Sequence, residues 1–461
     1  MTIVFWMSGC SVDSKKLPDS FAGLDWPNQF GGGNTNAPVG AGWLADFNDR
    51  TLDALVREAL SNNPDLRVTA AKLEAAQASL KIAGADLLPA ISARAASSRT
   101  KRNSTSGFKV TSLRTYRHTP SLDLAWELDV WGRLSDTKRA ARLDAEQAAI
   151  NLQGARLSLA ANTAKGWFNL AETELQTQLA QQTLKSYTNN LAVLEEGLKR
   201  GLTKALDVRL MQTSVQNAEN TLQLRLRQQD AAGRSLEILL GRYPKSEVAA
   251  TAKLPSLTNN VPAGLPAQLI ERRPDVLAAQ RGYLASHHRV GSAKKDRLPK
   301  ISLTANYGTS SDELKDVLDI NNNIWNLASN LTMPIFDAGK IKSQIKRAEA
   351  LREQAKYQYV QTTLQAFSEV ETTLAAETFL NQQEIALRGA VTEATGAESL
   401  AQEDYLAGLT DLITVLEAQR RVFDAKRSLI EIQNLRLQNR IDIYLALGGE
   451  FSKPEPKAET E

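Results

Sequence analysis

The sequence contains few of the residues on which catalytic and metal sites usually depend. It has one cysteine, Cys10, and three histidines, which excludes internal disulfides and cysteine-cluster metal sites and leaves little for acid–base chemistry. Aromatic residues make up only 6% of the 461 residues, and no apolar run approaches the ~18–20 residues that a membrane-spanning helix needs. Lys and Arg (55) nearly balance Asp and Glu (52) without a concentrated basic block. This composition argues against an ordinary enzyme, a helical membrane protein and a nucleic-acid-binding protein.

The single cysteine ends a short apolar segment, Met1–Cys10, whose last three residues are Ser-Gly-Cys. This pattern is typical of a bacterial lipoprotein signal, after which the cysteine thiol carries a covalent lipid. We therefore expect Cys10 to be lipidated and to anchor the chain without a spanning helix. The alternative is an ordinary free or buried cysteine. No other cofactor is expected.

Most of the chain consists of two related halves. The segment Leu88–Ser92 corresponds to Leu298–Ser302 at an offset of 210 residues, and Gly201–Thr203 corresponds to Gly408–Thr410 at an offset of 207. The offset changes between these two pairs of segments, which indicates that a loop of different length lies between them in each half. We predict a signal remnant at 1–10, a linker or equatorial segment at 11–50, structural repeats at 51–250 and 251–449, and a flexible tail at 450–461.

Each half contains a predicted pair of strands, at about 90–130 and about 300–336. From Ser121 to Val130 polar and apolar residues alternate, which is the pattern of a strand with two different faces. Strands of membrane β-barrels alternate in this way, with apolar residues toward lipid and polar residues toward the lumen. On this pattern alone, an amphipathic sheet of a soluble protein is the more common case.

After each strand pair, proline is absent as far as Tyr243 and Lys453, respectively. The residues in between are strong helix formers and predict helical hairpins at about 134–241 and 339–448. The first helix, which ends near Gly201, would be ~95 Å long. Apolar residues near this turn are spaced as in a coiled coil: Leu184, Tyr187, Leu191, Leu194 and Leu198. The counterpart in the second half is Val391, Ala394, Ala401 and Tyr405.

Two strand pairs cannot close a membrane barrel, which needs eight or more strands. Open sheet edges are not tolerated in lipid, so strands in a membrane would have to be completed by other copies of the chain. Three copies would supply twelve strands, and their long helices would continue the barrel as a tube. Such a tube is a duct for passing molecules and not a catalytic cleft.

Several motifs carry a resemblance to a known family. They are Ala59–Leu66, Trp126–Arg133, Val261–Pro266 (Val-Pro-Ala-Gly-Leu-Pro), Glu271–Val276 and Pro334–Lys340. On these motifs, the sequence from Trp43 to Gly449 resembles the TolC-type outer-membrane efflux proteins, in the lipoprotein branch that serves resistance-nodulation-division (RND) pumps.

The resemblance implies a mainly α fold with a β-barrel portion. Each chain would contribute four strands and four long helices to a homotrimer, with a 12-stranded barrel in the outer membrane of a Gram-negative bacterium and a helical barrel in the periplasm. The implied partners are a periplasmic adaptor protein, an inner-membrane RND transporter and outer-membrane lipid. The implied function is an exit duct for drugs or other small toxic compounds, opened by an iris-like movement of the helical tips.

The resemblance also places a gate at the hairpin tips. Ile413 and Glu417 stand where the family has inward-facing apolar and acidic rings, and their spacing of four puts them on one helix face. Tyr405 and Asp404 are candidates for hydrogen bonds that hold the tip shut. The alternative is that Glu417 and Asp404 are solvated charges, with Glu417 reaching Arg420. The expected adaptor contacts are the two matching notches, Gly201, Leu202, Thr203, Gly408, Leu409 and Thr410.

Other functions remain open at this point. A protein-secretion duct of the same fold (a type I system) is the nearest alternative, and a structural periplasmic coiled-coil protein is an alternative from another class. An enzyme is not expected, because the sequence has no nucleophile–histidine–acid set and no phosphate loop. The pair His287-His288 is not expected to bind metal, since adjacent helical residues do not share a face.

Overall fold

The computed structural model describes residues 42–106, 108–250, 253–257 and 272–449. Cys10 and the motif at 261–266 lie outside these residues, so the predicted lipidation stays a prediction. Among the described residues, none of the helices combines the length and hydrophobicity that crossing a membrane requires.

The described chain is mainly helical, with one antiparallel sheet. A 3-10 turn at Trp43–Phe47 precedes all other elements. The α-helices are α1 (Arg50–Asn62), α2 (Pro64–Ala85), α3 (Arg133–Lys199), α4 (Ala205–Leu239), α5 (Pro274–Lys295), α6 (Lys340–Leu406) and α7 (Leu412–Ala446). The strands are β1 (Ala90–Ser106), β2 (Lys109–Leu128), β3 (Lys300–Thr309) and β4 (Asn323–Thr332). The prediction of four strands and four long helices is confirmed.

The internal repeat is visible in the lengths of the helices. Helices α3 and α6 both have 67 residues, and α4 and α7 both have 35. Helices α2 and α5 both have 22 residues. The halves differ in the strand pairs, where β1 and β2 have 17 and 20 residues but β3 and β4 have 10 each. The predicted change of offset therefore lies in the strand pairs, because a hairpin can lengthen without disturbing helix packing.

The sheet has the order β1-β2-β3-β4, and every neighbouring pair is antiparallel. The register places Leu122 of β2 opposite Tyr307 of β3, which in turn lies opposite Trp325 of β4. Because side chains alternate along a strand, these three share one face of the sheet. This apolar face is exposed: Trp325 is 73% and Leu331 69% accessible. Strands β1 and β4 are the two edges.

The described residues form two compact units, each with segments of both halves of the repeat. One contains residues 71–149 and 278–361, which include the sheet. The other contains 42–70, 150–277 and 362–449 as far as they are described, and it includes both hairpin tips.

The core of the second unit joins the segment before α1 to the long helices. Trp43 stacks on Tyr444 with ring centroids 5.7 Å apart, and Phe47 contacts Phe168 at 5.1 Å. Asp49 caps α1, and its other carboxylate oxygen accepts a hydrogen bond of 2.7 Å from the indole N–H of Trp167. The first described residues are therefore fixed by packing against α3 and α7.

Candidate functional site: the tips of the helical hairpins

Both helical hairpins turn through the same glycine-centred motif. Gly201 and Gly408 each have a φ of +73°, a left-handed conformation that glycine adopts without strain. The N–H of Leu202 donates to the carbonyl of Gly197 at 2.8 Å, and the N–H of Leu409 donates to the carbonyl of Asp404 at 2.8 Å. These are the long-range bonds of a Schellman cap, which ends a helix and fixes the direction of the exit.

The tips expose apolar side chains at equivalent positions of the two repeats. Leu202 and Leu409 are 81% and 77% accessible, and Leu206 and Ile413 are 62% and 61% accessible. Large exposed apolar residues in such a cluster are typical of a surface that meets a partner. Leu202 and Leu409 belong to the predicted adaptor notches, whose contact with another protein stays a prediction.

Behind the tips, the two hairpins pack on each other through a small apolar core. Leu194 of α3 and Met211 of α4 lie in one cluster with Leu412 and Val415 of α7. Ala401 of α6 also belongs to this cluster, and Tyr187, Leu191 and Tyr405 pack against it. Residues of both predicted coiled-coil seams therefore take part. The cluster holds the two tips together in one chain.

Ile413 and Glu417 line the same groove, of about 550 Å³, together with Tyr187 and Leu210. The Glu417 carboxylate accepts hydrogen bonds from Arg420 at 2.8 Å and from Arg421 at 3.2 Å. These hydrogen bonds, first from Arg420 and then from Arg421, lower the pKa of Glu417. In the described chain Glu417 is thus paired with arginines of its own helix, and Arg420, the partner named in the alternative interpretation, is one of them.

Tyr405 and Asp404 are close in sequence but have different surroundings. Tyr405 is half-buried against the apolar cluster, and burial, followed by the charge of Asp207, raises its pKa. The carbonyl of Asp404 takes part in the helix cap, whereas its exposed carboxylate has no hydrogen bond or ion pair with any residue that the structure describes. The hydrogen bonds between hairpins predicted for these two residues stay a prediction.

A buried ion network between α6 and α7 was not anticipated from the sequence. Arg436 bonds to Glu384 and also to Glu377, at 3.0 Å, and Arg440 reaches Glu377 at 3.2 Å. Burial raises the pKa of Glu384, but the hydrogen bonds from Arg436 and Arg388 outweigh it and hold the pKa below its usual value. The partners are more than fifty residues apart, so no local pattern could pair them.

The adjacent histidines bond to different partners. His287 contacts Tyr283 at 3.3 Å, whereas His288 contacts Asp136 at 3.2 Å. Within the described residues, no three His, Cys, Asp or Glu side chains are grouped so that they could hold a metal ion.

The sequence matches the profile of a family described as "Outer membrane efflux protein" over residues 55–242 and 265–449. The chain belongs to the outer membrane efflux protein family. The predicted resemblance is therefore confirmed. The "Cation efflux system protein CusC" of Escherichia coli (strain K12) is 29% identical over 451 residues, which cover 96% of this chain and 97% of the relative. The "Probable efflux pump outer membrane protein TtgC" of Pseudomonas putida is 32% identical, covering 96% and 93%.

Solved structures agree with this assignment. A membrane protein from Pseudomonas aeruginosa superimposes with a TM-score of 0.84 at 31% identity, covering 90% of this chain and 96% of that one. A crystal structure of CusC superimposes with a TM-score of 0.81 at 27% identity, covering 92% and 97%. The chain is thus an outer-membrane efflux channel protein and not an enzyme.

Proposed function

We propose that this protein is the outer-membrane exit duct of a tripartite RND-type pump, which carries drugs or other small toxic compounds from the periplasm to the exterior. The observation that carries the proposal is the connection of an apolar-faced, open-edged sheet to paired 67-residue helices. A helix of that length spans ~100 Å, which suits a duct that crosses the periplasm. The relatives TtgC and CusC are themselves named as parts of efflux systems.

The two free edges of the sheet support a trimeric assembly. Edge strands β1 and β4 must be paired if the apolar face lies in lipid, because unpaired backbone groups cost several kcal/mol each there. Three copies give twelve strands, within the range of membrane barrels. Two repeats in each of three copies would then place six similar units around the duct. A lipid on Cys10 would add an anchor to each copy.

The tips are the proposed gate and the proposed docking surface for the adaptor. The exposed residues Leu202 and Leu409 occupy equivalent notches, so a trimer would present six similar apolar contacts. Ile413, also exposed, would narrow the duct from inside. Opening would then require the hairpins to separate at the apolar cluster around Met211.

Deletion and complementation in the host tests the proposed export function. Deletion is expected to increase sensitivity to a panel of antibiotics, bile salts, dyes and metal ions, and the complementing gene should restore resistance. The pattern across the panel identifies the cargo class. Loss of a secreted protein with unchanged sensitivity would instead indicate a type I secretion duct, and a protein recovered without detergent would indicate a structural coiled coil.

A further inference from the structure

The outer part of the β1–β2 hairpin carries charges of one sign only. Between Ala90 and Leu122 the sequence has seven Lys and Arg residues and no Asp or Glu. Strand β3 pairs with β2 over Ser121–Leu128, and one further bridge joins His118 to Ser311. Strands β1 and β2 remain paired as far as Ser106 and Lys109. The positively charged part of the hairpin therefore extends beyond the four-stranded region.

The register sorts these cations onto the two faces of the hairpin. Lys101 lies directly opposite Arg114, and Arg99 lies opposite Tyr116, with its guanidinium 5.0 Å from the ring centroid. Arg99, Lys101 and Arg114, here called the cationic cluster, share the face that carries Leu122 and the other apolar residues of β2. Directly opposed and diagonal neighbours lie within ~8 Å, so the three charges form one compact group.

Three other arginines of the same hairpin lie on the opposite face. Arg94 is opposite Ser121, Arg102 is opposite Leu113, and Arg117 is opposite Ser98. By alternation these side chains point away from the apolar face. They provide a matched set of equal charge on the same strands.

No acidic residue in the described part of the chain forms an ion pair with any member of the cationic cluster. Like charges directly opposite each other destabilise a strand pair. An external anion that lies between Lys101 and Arg114 would therefore reduce the repulsion between these two charges and stabilise the strand pair. The nearest acidic residue along β2, Asp123, is on the other face.

The position of the cationic cluster identifies the kind of anion. Tyr116 lies twelve residues before Leu128, toward the turn between β1 and β2. At ~3.4 Å per residue and a strand tilt of ~40°, this separation corresponds to ~30 Å along the barrel axis. The apolar band of membrane barrels is ~25 Å tall, so Arg99 and Tyr116 would lie at the level of the lipid headgroups. A ligand that places acyl chains along Leu122 and Trp126 would bring its phosphates to the cationic cluster.

We propose that Arg99, Lys101 and Arg114 bind the phosphate groups of an anionic glycolipid of the outer leaflet. This inference rests on the proposed insertion of the sheet as a closed barrel, which points the apolar face toward lipid. The site lies in the sheet, far along the chain from the tips, and shares no residue with the proposed gate. It would fix the height of the barrel in the membrane and cover the charged edge of its apolar face.

Native mass spectrometry of the full-length protein in neutral detergent tests the site. Diphosphoryl lipid A is the probe, and lipid A without phosphates is the comparison. The wild type should retain the diphosphoryl lipid preferentially, and raised salt should weaken its binding. The triple variant Arg99→Gln/Lys101→Gln/Arg114→Gln should bind at least tenfold more weakly.

The matched triple variant Arg94→Gln/Arg102→Gln/Arg117→Gln should bind like the wild type, since it loses the same charge from the other face. Equal losses in both triple variants, or equal binding of the lipid without phosphates, would overturn the proposed site. If the first triple variant does not assemble, Lys101→Gln alone should still weaken binding severalfold. Channel conductance is recorded in parallel, because a wild type without conductance would contradict the proposed duct, whereas a conducting wild type that ignores lipid phosphate would contradict only the lipid site.

Discussion

Glu237 near the end of α4 is buried, although it carries a charge and is not part of the predicted site. Its carboxylate accepts hydrogen bonds from the backbone N–H groups of Ser246 at 2.7 Å and of Glu247 at 2.6 Å. Ser246 has a φ of +61°, an unfavourable conformation for a residue other than glycine. Glu237 therefore fixes the chain that leaves the first hairpin. Burial raises its pKa, but the backbone hydrogen bonds outweigh this effect and lower it.

Replacement of Glu237 by glutamine should lower stability in a pH-dependent way. A folded-state pKa below the unfolded value of ~4.3 gives stabilisation that is present above that pH and is lost as pH falls through the folded value. We expect a loss of about 2 kcal/mol at pH 7 that shrinks below pH ~4. Thermal unfolding followed by intrinsic fluorescence measures this, with the exposed Glu247→Gln as control. A loss of stability of equal size at pH 7 and below pH ~4 would contradict the assigned role.

The gate residues give a second prediction at the same scale. Ile413→Ala combined with Glu417→Ala removes an exposed apolar side chain and the acceptor of two arginines at one tip. If these residues narrow the duct, single-channel conductance in planar bilayers should increase. Glu247→Gln serves as a control, because this exposed residue lies outside the tips and conductance should stay unchanged. Unchanged conductance in the double variant would contradict the gate assignment.

At the scale of elements, the two repeats use glycine in two different ways. Gly201 and Gly408 at the tips have open space where a Cβ would be placed. Gly241 and Gly448, which follow α4 and α7, also have positive φ values, of +73° and +66°. At Gly241, however, an added Cβ would lie 2.7 Å from the carbonyl oxygen of Asn62. The second pair therefore combines a backbone requirement with close packing.

Alanine at these positions should separate the two requirements. Gly201→Ala and Gly408→Ala should each cost only the left-handed conformation, about 1–2 kcal/mol. Gly241→Ala and Gly448→Ala should cost more, because the end of α1 and the backbone at Arg272 would also have to move. The midpoints of thermal unfolding in detergent measure the difference. Four equal losses would show that packing at the second pair is not limiting.

At the scale of the whole molecule, the sheet is incomplete within one chain. Its apolar face is exposed at Trp325, Leu327 and Leu331, and both of its edges are free. A soluble fold would cover this face with helices or with a second sheet. The exposed face and edges together favour an assembly in which neighbouring copies pair edge to edge in lipid.

Native mass spectrometry in detergent should therefore give three copies, a mass of about 150 kDa from subunits of 50.5 kDa. The variant Cys10→Ser should form the same trimer, because strand pairing and not a disulfide joins the copies. Two copies would also close an eight-stranded barrel. A dimer or a monomer as the main species would contradict the proposed assembly.

The sequence predicted the strands, the hairpins and the seams because each leaves a local pattern. Three such patterns are the alternation over Ser121–Val130, the absence of proline before Tyr243 and the heptad spacing at Tyr187 and Leu191. Each can be recognised from residues that are close together in the sequence. The latch predicted at Tyr405 and Asp404 stays a prediction, because no local pattern says which group of another hairpin either side chain would meet. The pairing of Glu417 was anticipated only as an alternative, since helical spacing permits it but does not require it.

The sequence by itself determined the two-fold repeat, the strand pairs and the long hairpins that follow them, because proline, glycine and hydrophobic period act locally. Only the tertiary structure decided which distant groups meet: Arg436 with Glu377 and Glu384, or Glu237 with the segment after Gly241. It also decided which cations of the β1–β2 hairpin share the apolar face, since strand register, and not sequence spacing, sets the neighbours of Lys101. Burial and register depend on contacts between residues far apart in the chain, and no local pattern encodes them.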